Sequence, residues 1–127
     1  MALHIVRIQH QNQPRWGILQ GTQISLLDVP CSTTAELLSV DQARLSAATT
    51  GEQLDIAGVT LLSPVTTPAR VLCQGANYRQ HMIDSGMDPD AKKFNMFFTK
   101  SSASISGPTG TIVKTMHVGL LDYEIEL

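Results

Sequence analysis

Three short apolar segments set the architecture of this chain: Leu3-His4-Ile5-Val6-Arg7-Ile8, Arg15-Trp16-Gly17-Ile18-Leu19-Gln20 and Gln23-Ile24-Ser25-Leu26-Leu27. A polar turn is expected around Asn12-Gln13-Pro14, between the first two segments, and a tight turn at Gly21-Thr22 between the second and the third. The pattern predicts a meander of three short antiparallel strands.

Two helices are predicted after the meander. Thr33 and Glu36 have the spacing of a capping box, in which each residue satisfies a backbone N–H of the other, ahead of Leu37. Asp41 is positioned to cap a second helix that carries Leu45. The remaining polar candidates in this region do not converge as a catalytic set and are assigned structural or solvated roles: His4, His10, Asp28 and Cys31.

Composition narrows the function classes. The 127 residues are 43% apolar and 16% charged, enough for one domain or two small lobes. A net charge of −2 with nine scattered Lys and Arg residues gives little support to nucleic-acid binding. No secretory signal and no run near the roughly 20 apolar residues of a membrane helix is found. We therefore expect a cytoplasmic protein with no membrane partner, in which the two cysteines form neither a disulfide framework nor a zinc site.

The segment Leu61-Leu62-Ser63-Pro64-Val65-Thr66-Thr67-Pro68-Ala69-Arg70 marks a boundary, because two prolines and three hydroxyl residues favour extended chain. We predict a small β-rich module over residues 1–65 and a second part over residues 66–127. The second part begins with an apolar strand, Val71-Leu72-Cys73-Gln74, and Gly75 is expected to let the backbone turn at its end.

A short helix carries the first chemical signal of the second part. Asn77 and Gln80 have capping-box spacing, and Gly86 is expected to end the helix. His81 and Asp84 are three residues apart and share a helical face, so the carboxylate can orient the imidazole as a base. The alternative is an exposed pair on a surface helix.

The second chemical signal is Asp122-Tyr123-Glu124-Ile125-Glu126-Leu127. The segment reads as a strand, and its period of two places Glu124 and Glu126 on one face, roughly 6.5–7 Å apart. Two carboxylates at this spacing can close on one cation. The alternative is a solvated strand face.

These pieces, in this order, resemble the fumarylacetoacetate hydrolase family. The motifs that carry the resemblance are Val71-Leu72-Cys73-Gln74-Gly75-Ala76-Asn77-Tyr78-Arg79-Gln80-His81, Phe97-Phe98-Thr99-Lys100 with Ser101-Ser102-Ala103, and residues 122–127. Residues 1–65 match more loosely the N-terminal module of many bacterial members. The resemblance implies a mixed α+β, mainly β fold whose second part begins a mixed β-sandwich roll. It also implies a homodimer and dependence on Mg²⁺, or on Mn²⁺ or Ca²⁺.

The resemblance also implies roles for individual residues. Glu124 and Glu126 match two of three acidic metal ligands, and His81 with Asp84 matches a His–acid pair on a lid helix, where members often have Glu in place of Asp84. Lys100 is a candidate contact for a substrate carboxylate, with an exposed strand end as the alternative. A third ligand and a second lysine are expected downstream of residue 127, so we expect the 127-residue chain to be an N-terminal fragment, inactive alone.

The activity implied is hydrolysis of a carbon–carbon bond in a 1,3-diketo or acylpyruvate-type acid through a metal-stabilised enolate. Decarboxylation, hydration and isomerisation of a 2-oxo acid share this logic and stay open. A non-catalytic N-terminal module, or a chain that binds 2-oxo acids without turnover, is the competing class.

Overall fold

The computed structural model describes residues 2–91, 93–121 and 123. Its elements in chain order are β1 (Ile5–His10), β2 (Gln13–Gln20), β3 (Gln23–Leu27), α1 (Thr34–Leu38), α2 (Gln42–Ala47), β4 (Thr49–Asp55), a 3₁₀ turn (Ile56–Gly58), β5 (Thr60–Leu62), β6 (Val71–Gly75), α3 (Arg79–Asp84), β7 (Met96–Lys100) and a second 3₁₀ turn (Ser102–Ser104). Strands form a five-stranded antiparallel sheet in the order β4-β3-β2-β1-β5 and a two-stranded sheet of β6 and β7. The mixed, mainly β class predicted from the sequence is confirmed.

The predicted meander is present, but its first turn lies earlier in the chain. Gln11 and Asn12 connect β1 to β2 with positive φ values of 48° and 61°, as a two-residue hairpin of type I′ requires. Pro14 therefore lies inside β2, opposite Gln9. It is tolerated there because β2 pairs with β3 only from Gly17 to Gln20, so the missing N–H of Pro14 removes no bond to β3.

Two further strands enlarge the sheet beyond the prediction. β4 pairs with β3, and β5 pairs with β1, so they form the two edges. Six of the seven β4 residues are exposed, and its sequence TTGEQLD has no apolar alternation that could have marked it as a strand. β5 overlaps the start of the segment that was predicted only as an extended boundary, at Leu61 and Leu62.

The sheet buries an apolar cluster on each face. On one face Trp16, Ile18 and Leu27 pack with the helix residues Leu37 and Leu45. The other face buries a second cluster, against which Ile56, Val59 and Leu61 pack: Ile8, Ile24 and Leu26. Only Ile56–Val59 separate the two edge strands in sequence, so this short connection covers the second face.

Both predicted helix caps in the first module are confirmed. The Thr33 hydroxyl accepts from the Glu36 N–H at 3.2 Å, and the Glu36 carboxylate accepts from the Thr33 N–H at 2.9 Å. These bonds from Thr33, with those from Ser32, hold the pKa of Glu36 below its usual value. Asp41 caps α2 by accepting from the Arg44 N–H at 2.8 Å. Among the described residues, none of the helices is long and apolar enough to cross a bilayer.

Replacing Gly17 with alanine is expected to destabilise the fold by about 1–3 kcal/mol, because overpacking a core has this cost. A Cβ at Gly17 would overlap the Cγ2 methyl of Ile24, whose side chain is fully buried, so the packing around it must shift. Urea unfolding followed by the fluorescence of Trp16 measures the change. Gly58→Ala is the matched control, since nothing lies within 4 Å of a Cβ at that position. Equal stabilities of the two variants would contradict the packing argument.

Candidate functional site

The helix that carries His81 starts later than the sequence predicted. Its N-cap is Tyr78, with no side-chain cap bond, so the capping box proposed for Asn77 and Gln80 is wrong. Gln80 is then the second helical residue, and its side chain instead donates to the Asp84 Oδ1 at 2.8 Å. This hydrogen bond spans one turn along the exposed side of the helix and restrains the Asp84 carboxylate.

The turn from β6 into α3 is made by Ala76, where Gly75 had been expected to supply it. Ala76 has a φ of 51°, in the left-handed region that costs a non-glycine residue about 1–3 kcal/mol. Gly75 instead lies opposite Met96 in the hairpin, and a Cβ there would contact Met96 and Phe98 at ordinary distances of 3.5–3.7 Å. Strained backbone of this kind often occurs at functional sites, and here it sets the direction of α3.

The end of α3 is confirmed at Gly86. Its φ is 73°, its N–H donates to Ile83 at 2.9 Å, and the N–H of Met87 donates to Met82 at 2.8 Å. This pair of bonds is the Schellman arrangement, which favours glycine at the left-handed position. Movement of this segment as a lid over substrate stays a prediction.

An ion pair connects the start of α3 to the loop that follows it. Arg79 donates to both carboxylate oxygens of Asp90, at 2.6 and 3.0 Å. These bonds lower the pKa of Asp90 and raise the pKa of Arg79. Both side chains are exposed, so the pair orients the loop more than it stabilises the fold. No spacing rule in the sequence pointed to this contact, because the loop must first fold back.

The Arg79–Asp90 ion pair is expected to persist as pH falls below the usual pKa of an aspartate and to break only near the lowered pKa of Asp90. The pKa of Asp90 is lower in the folded state than in the unfolded state. The pair therefore contributes fully to the free energy of unfolding above the unfolded-state pKa, and this contribution is lost as pH falls through the folded-state pKa. Carbon-detected NMR titration of the Asp90 carboxyl measures this directly. In Arg79→Gln the titration is expected to return toward the ordinary Asp range, and an unchanged titration would contradict the assignment.

A cleft of about 380 Å³ lies beside α3. Its lining is mainly apolar, with one acidic and one basic residue: Ala76, Met82, Met87, Asp88, Ala91, Lys93, Phe94 and Met96. Met82 is buried in the described structure and fixes the helix against the cleft, whereas Ile83 is 47% exposed. The sequence did not indicate Lys93 as a site residue, because the loop that places it beside α3 has no periodic pattern.

The site residues predicted from the sequence are only partly brought together. His81 and Asp84 lie one turn apart on α3 and are exposed. Lys100 pairs with Val71 at the far end of the hairpin from α3, which places it four residue steps, roughly 13 Å, from Met96 at the near end. Its Nζ lies 5.9 Å from the Phe98 ring centroid. The roles of all three side chains stay predictions.

The predicted metal ligands Glu124 and Glu126 lie outside the described residues. Within residues 2–91, 93–121 and 123, no group of three or more His, Cys, Asp or Glu side chains is placed to hold a metal ion. The donor chemistry of two carboxylates suits a hard divalent ion such as Mg²⁺ or Mn²⁺, which prefers oxygen ligands. The residue types therefore fit the ion that the resemblance implies.

Comparison with known families matches nearly the whole chain in two segments. Residues 3–64 match the family described as Rv2993c-like, N-terminal, and residues 70–127 match the fumarylacetoacetate (FAA) hydrolase C-terminal family. The predicted division at residues 65 and 66 stays a prediction. No solved structure matches the chain.

Similar curated proteins carry the name oxaloacetate tautomerase. Oxaloacetate tautomerase YisK of Bacillus subtilis is 40% identical over 72 residues, which are 54% of this chain and 24% of the relative. The human mitochondrial oxaloacetate tautomerase FAHD2A is 33% identical over 138 residues, which cover 100% of this chain and 43% of the relative. Its bovine counterpart is 29% identical, over 98% of this chain and 43% of the relative. The chain thus spans less than half the length of these relatives.

Proposed function

The chain belongs to the fumarylacetoacetate hydrolase family. On this premise we propose that it forms part of a divalent-metal-dependent tautomerase that acts on oxaloacetate or a similar 2-oxo dicarboxylic acid. Members of this family are enzymes, and the observation that carries the proposal is the name shared by the bacterial and mammalian relatives. The activity in that name is an isomerisation, which favours the isomerase alternative over the hydrolysis of a carbon–carbon bond.

The chemistry of a tautomerase suits the residues on α3. Interconversion of keto and enol forms moves one proton from the carbon beside the 2-oxo group to the carbonyl oxygen and breaks no bond between carbons. The His81 imidazole can accept the first proton and return it at oxygen, acting as general base and then general acid. Asp84, restrained by Gln80, acts as a positioning residue for His81 in this proposal.

Substrate binding is assigned to the cleft beside α3 and to cations near it. Lys93 on the cleft is placed to attract a substrate carboxylate, and Met82, Met87 and Phe94 give the cleft an apolar wall for the carbon chain of the substrate. The role predicted for Lys100 stays a prediction and is not used here, because Lys100 lies roughly 13 Å along β7 from Met96, which lines the cleft. A divalent ion held by Glu124 and Glu126 would supply positive charge beside the oxygen on which negative charge develops. A homodimer and a cytoplasmic location stay predictions.

The proposal is tested in a chimera, because the chain covers less than half of its relatives. Residues 1–127 replace the aligned segment of the human relative, and the decay of enol-oxaloacetate is followed by ultraviolet absorbance with Mn²⁺ and after chelation. We expect metal-dependent acceleration by the chimera and none by the 127-residue chain alone. Loss of metal binding in a Glu124→Gln/Glu126→Gln chimera, measured by calorimetry, identifies the ligands.

Hydrolysis is separated from tautomerisation by a second substrate. An acylpyruvate is supplied to the same chimera, and pyruvate release is measured with a coupled dehydrogenase. Tautomerisation without pyruvate release supports the proposal. A folded chimera that releases pyruvate but leaves the enol decay unchanged would restore the hydrolase interpretation, and inactivity toward both substrates would reject both.

A further inference from the structure

A second, polar cavity lies where the segments matched by the two families meet. Its volume is about 280 Å³, and it shares no residue with the cleft beside α3. The walls come from β1, from the chain before α1, from the chain after β5, and from the loop after the second 3₁₀ turn. The polar residues among them are Arg7, Ser32, Ser63, Thr66, Thr67 and Ser106. Nothing in the tautomerase chemistry uses these side chains.

Among the residues that the structure describes, Arg7 is the only basic one that lines this cavity. Its guanidinium is half-buried and stacks over Trp16, with 5.8 Å between Cζ and the ring centroid. Trp16 is itself held by a 2.8 Å hydrogen bond from Nε1 to the Cys31 carbonyl. Among the described residues, Arg7 makes no ion pair and no side-chain hydrogen bond, so its donors are preorganised but unused.

Hydroxyl groups complete the polar wall. Pairing of Arg7 with Leu62 brings the guanidinium beside the Ser63 to Thr67 segment. Within the described structure the Thr67 hydroxyl has no hydrogen-bond partner. Ser106 makes one long bond of 3.3 Å to the Gly107 carbonyl, so both hydroxyls can turn toward a ligand. Gly107 lies close to the β5 backbone, where a Cβ would be 3.8 Å from the Leu61 carbonyl oxygen.

The acidic side chain that bonds to Ser32, a residue of the cavity wall, does not neutralise Arg7. The Glu36 carboxylate accepts from the backbone N–H groups of Ser32 and Thr33 at 2.7 and 2.9 Å and from the Ser32 hydroxyl at 3.0 Å. It therefore compensates the start of α1, and no ion pair with Arg7 forms within the described residues. A single guanidinium with neighbouring hydroxyl donors is the arrangement that recognises the paired oxygens of a carboxylate or phosphate.

We propose that the cavity between Arg7 and Ser106 is a binding site for a small oxyanion, the carboxylate or phosphate group of a metabolite. The anion would bridge Arg7 of the first module and the Ile105–Gly107 loop of the second part. Binding would therefore couple the two parts at a place separate from the proton-transfer chemistry.

Titration of the full 127-residue chain tests the site, with inorganic phosphate and succinate as probes at constant ionic strength. Nitrogen-15 amide NMR follows the shifts of the cavity residues. Saturable shifts with either probe are expected, and the stronger probe identifies the group recognised. Arg7→Gln is expected to weaken binding at least about tenfold, as loss of a charge-assisted bidentate contact does. Arg44→Gln removes the same charge from α2, away from the cavity, and is expected to change nothing.

A second pair of variants guards against unfolding, since Arg7 also stacks on Trp16. Ser106→Ala is expected to weaken binding severalfold, whereas Ser104→Ala, whose hydroxyl donates to the Ser101 carbonyl outside the cavity, leaves affinity unchanged. Circular dichroism establishes that each variant is folded. Absence of saturable binding by both probes, or equal affinities of Arg7→Gln and Arg44→Gln, would overturn the proposal.

Discussion

A His81→Ala change in the chimera is expected to slow oxaloacetate tautomerisation by about 10²- to 10⁴-fold, the usual contribution of a positioned acid or base. The loss should appear mainly in kcat, because the imidazole is assigned to proton transfer and substrate attraction is assigned to cations. His81 is exposed on α3, so the substitution creates no cavity and stability should change little. Stopped-flow measurement of enol decay gives the rate.

The matched control is His4→Ala, which removes the same side chain from an exposed position in the first module. Its rate is expected to equal that of the unsubstituted chimera. If His81→Ala retains the full rate while His4→Ala does as well, another group transfers the proton and the assignment fails. Asp84→Asn adds a test of positioning, since a positioning role predicts a smaller loss together with a displaced pH profile.

Replacing Leu27 with alanine is expected to destabilise the chain by about 2–5 kcal/mol, the range for burial lost together with a cavity left behind. Leu27 is 1% exposed and belongs to the cluster that joins the sheet to α1 and α2. A loss of this size is a large fraction of the total free energy of unfolding, which is about 5–15 kcal/mol for a typical domain. Urea unfolding monitored by Trp16, the single tryptophan and a member of the same cluster, reports the change.

Leu38→Ala provides the control for that measurement. Leu38 follows Leu37 on α1 but is 79% exposed, so the same substitution removes almost no buried area. The urea concentration at the unfolding midpoint of Leu38→Ala is expected to stay close to that of the unsubstituted chain. Similar losses for Leu27→Ala and Leu38→Ala would contradict the assignment of the Leu27 effect to burial, because the two side chains differ in burial and not in size.

Local signals located most of the elements correctly. Thr33 with Glu36 and Asp41 marked both helix starts in the first module, because a cap depends only on residues within one turn. Gly86 marked the end of α3 for the same reason. Asn77 failed as a cap because the left-handed turn at Ala76 delays the helix, and that turn is made by a residue with no intrinsic preference for it.

The edges of the sheet and the placement of the second part could not be predicted in this way. β4 is recruited to β3 by pairing across the sheet, although its own residues are polar and exposed. The Arg79–Asp90 pair and the cavity at Arg7 join residues far apart in sequence, so neither leaves a periodic signal. The cleft beside α3 depends likewise on a loop that folds back over Met82.

From its residue order alone the chain specifies its family, its helix caps, its central strands and the chemical types available on α3 and at residues 124 and 126. These features rest on contacts within a few residues, whose geometry follows from backbone propensity and side-chain spacing. Tertiary packing alone decided which groups meet: Lys93 lines the cleft, Lys100 lies away from α3, and Arg7 and Ser106 line one cavity. The physical reason is that burial and strand pairing act between segments distant in sequence, where no local pattern records the partner.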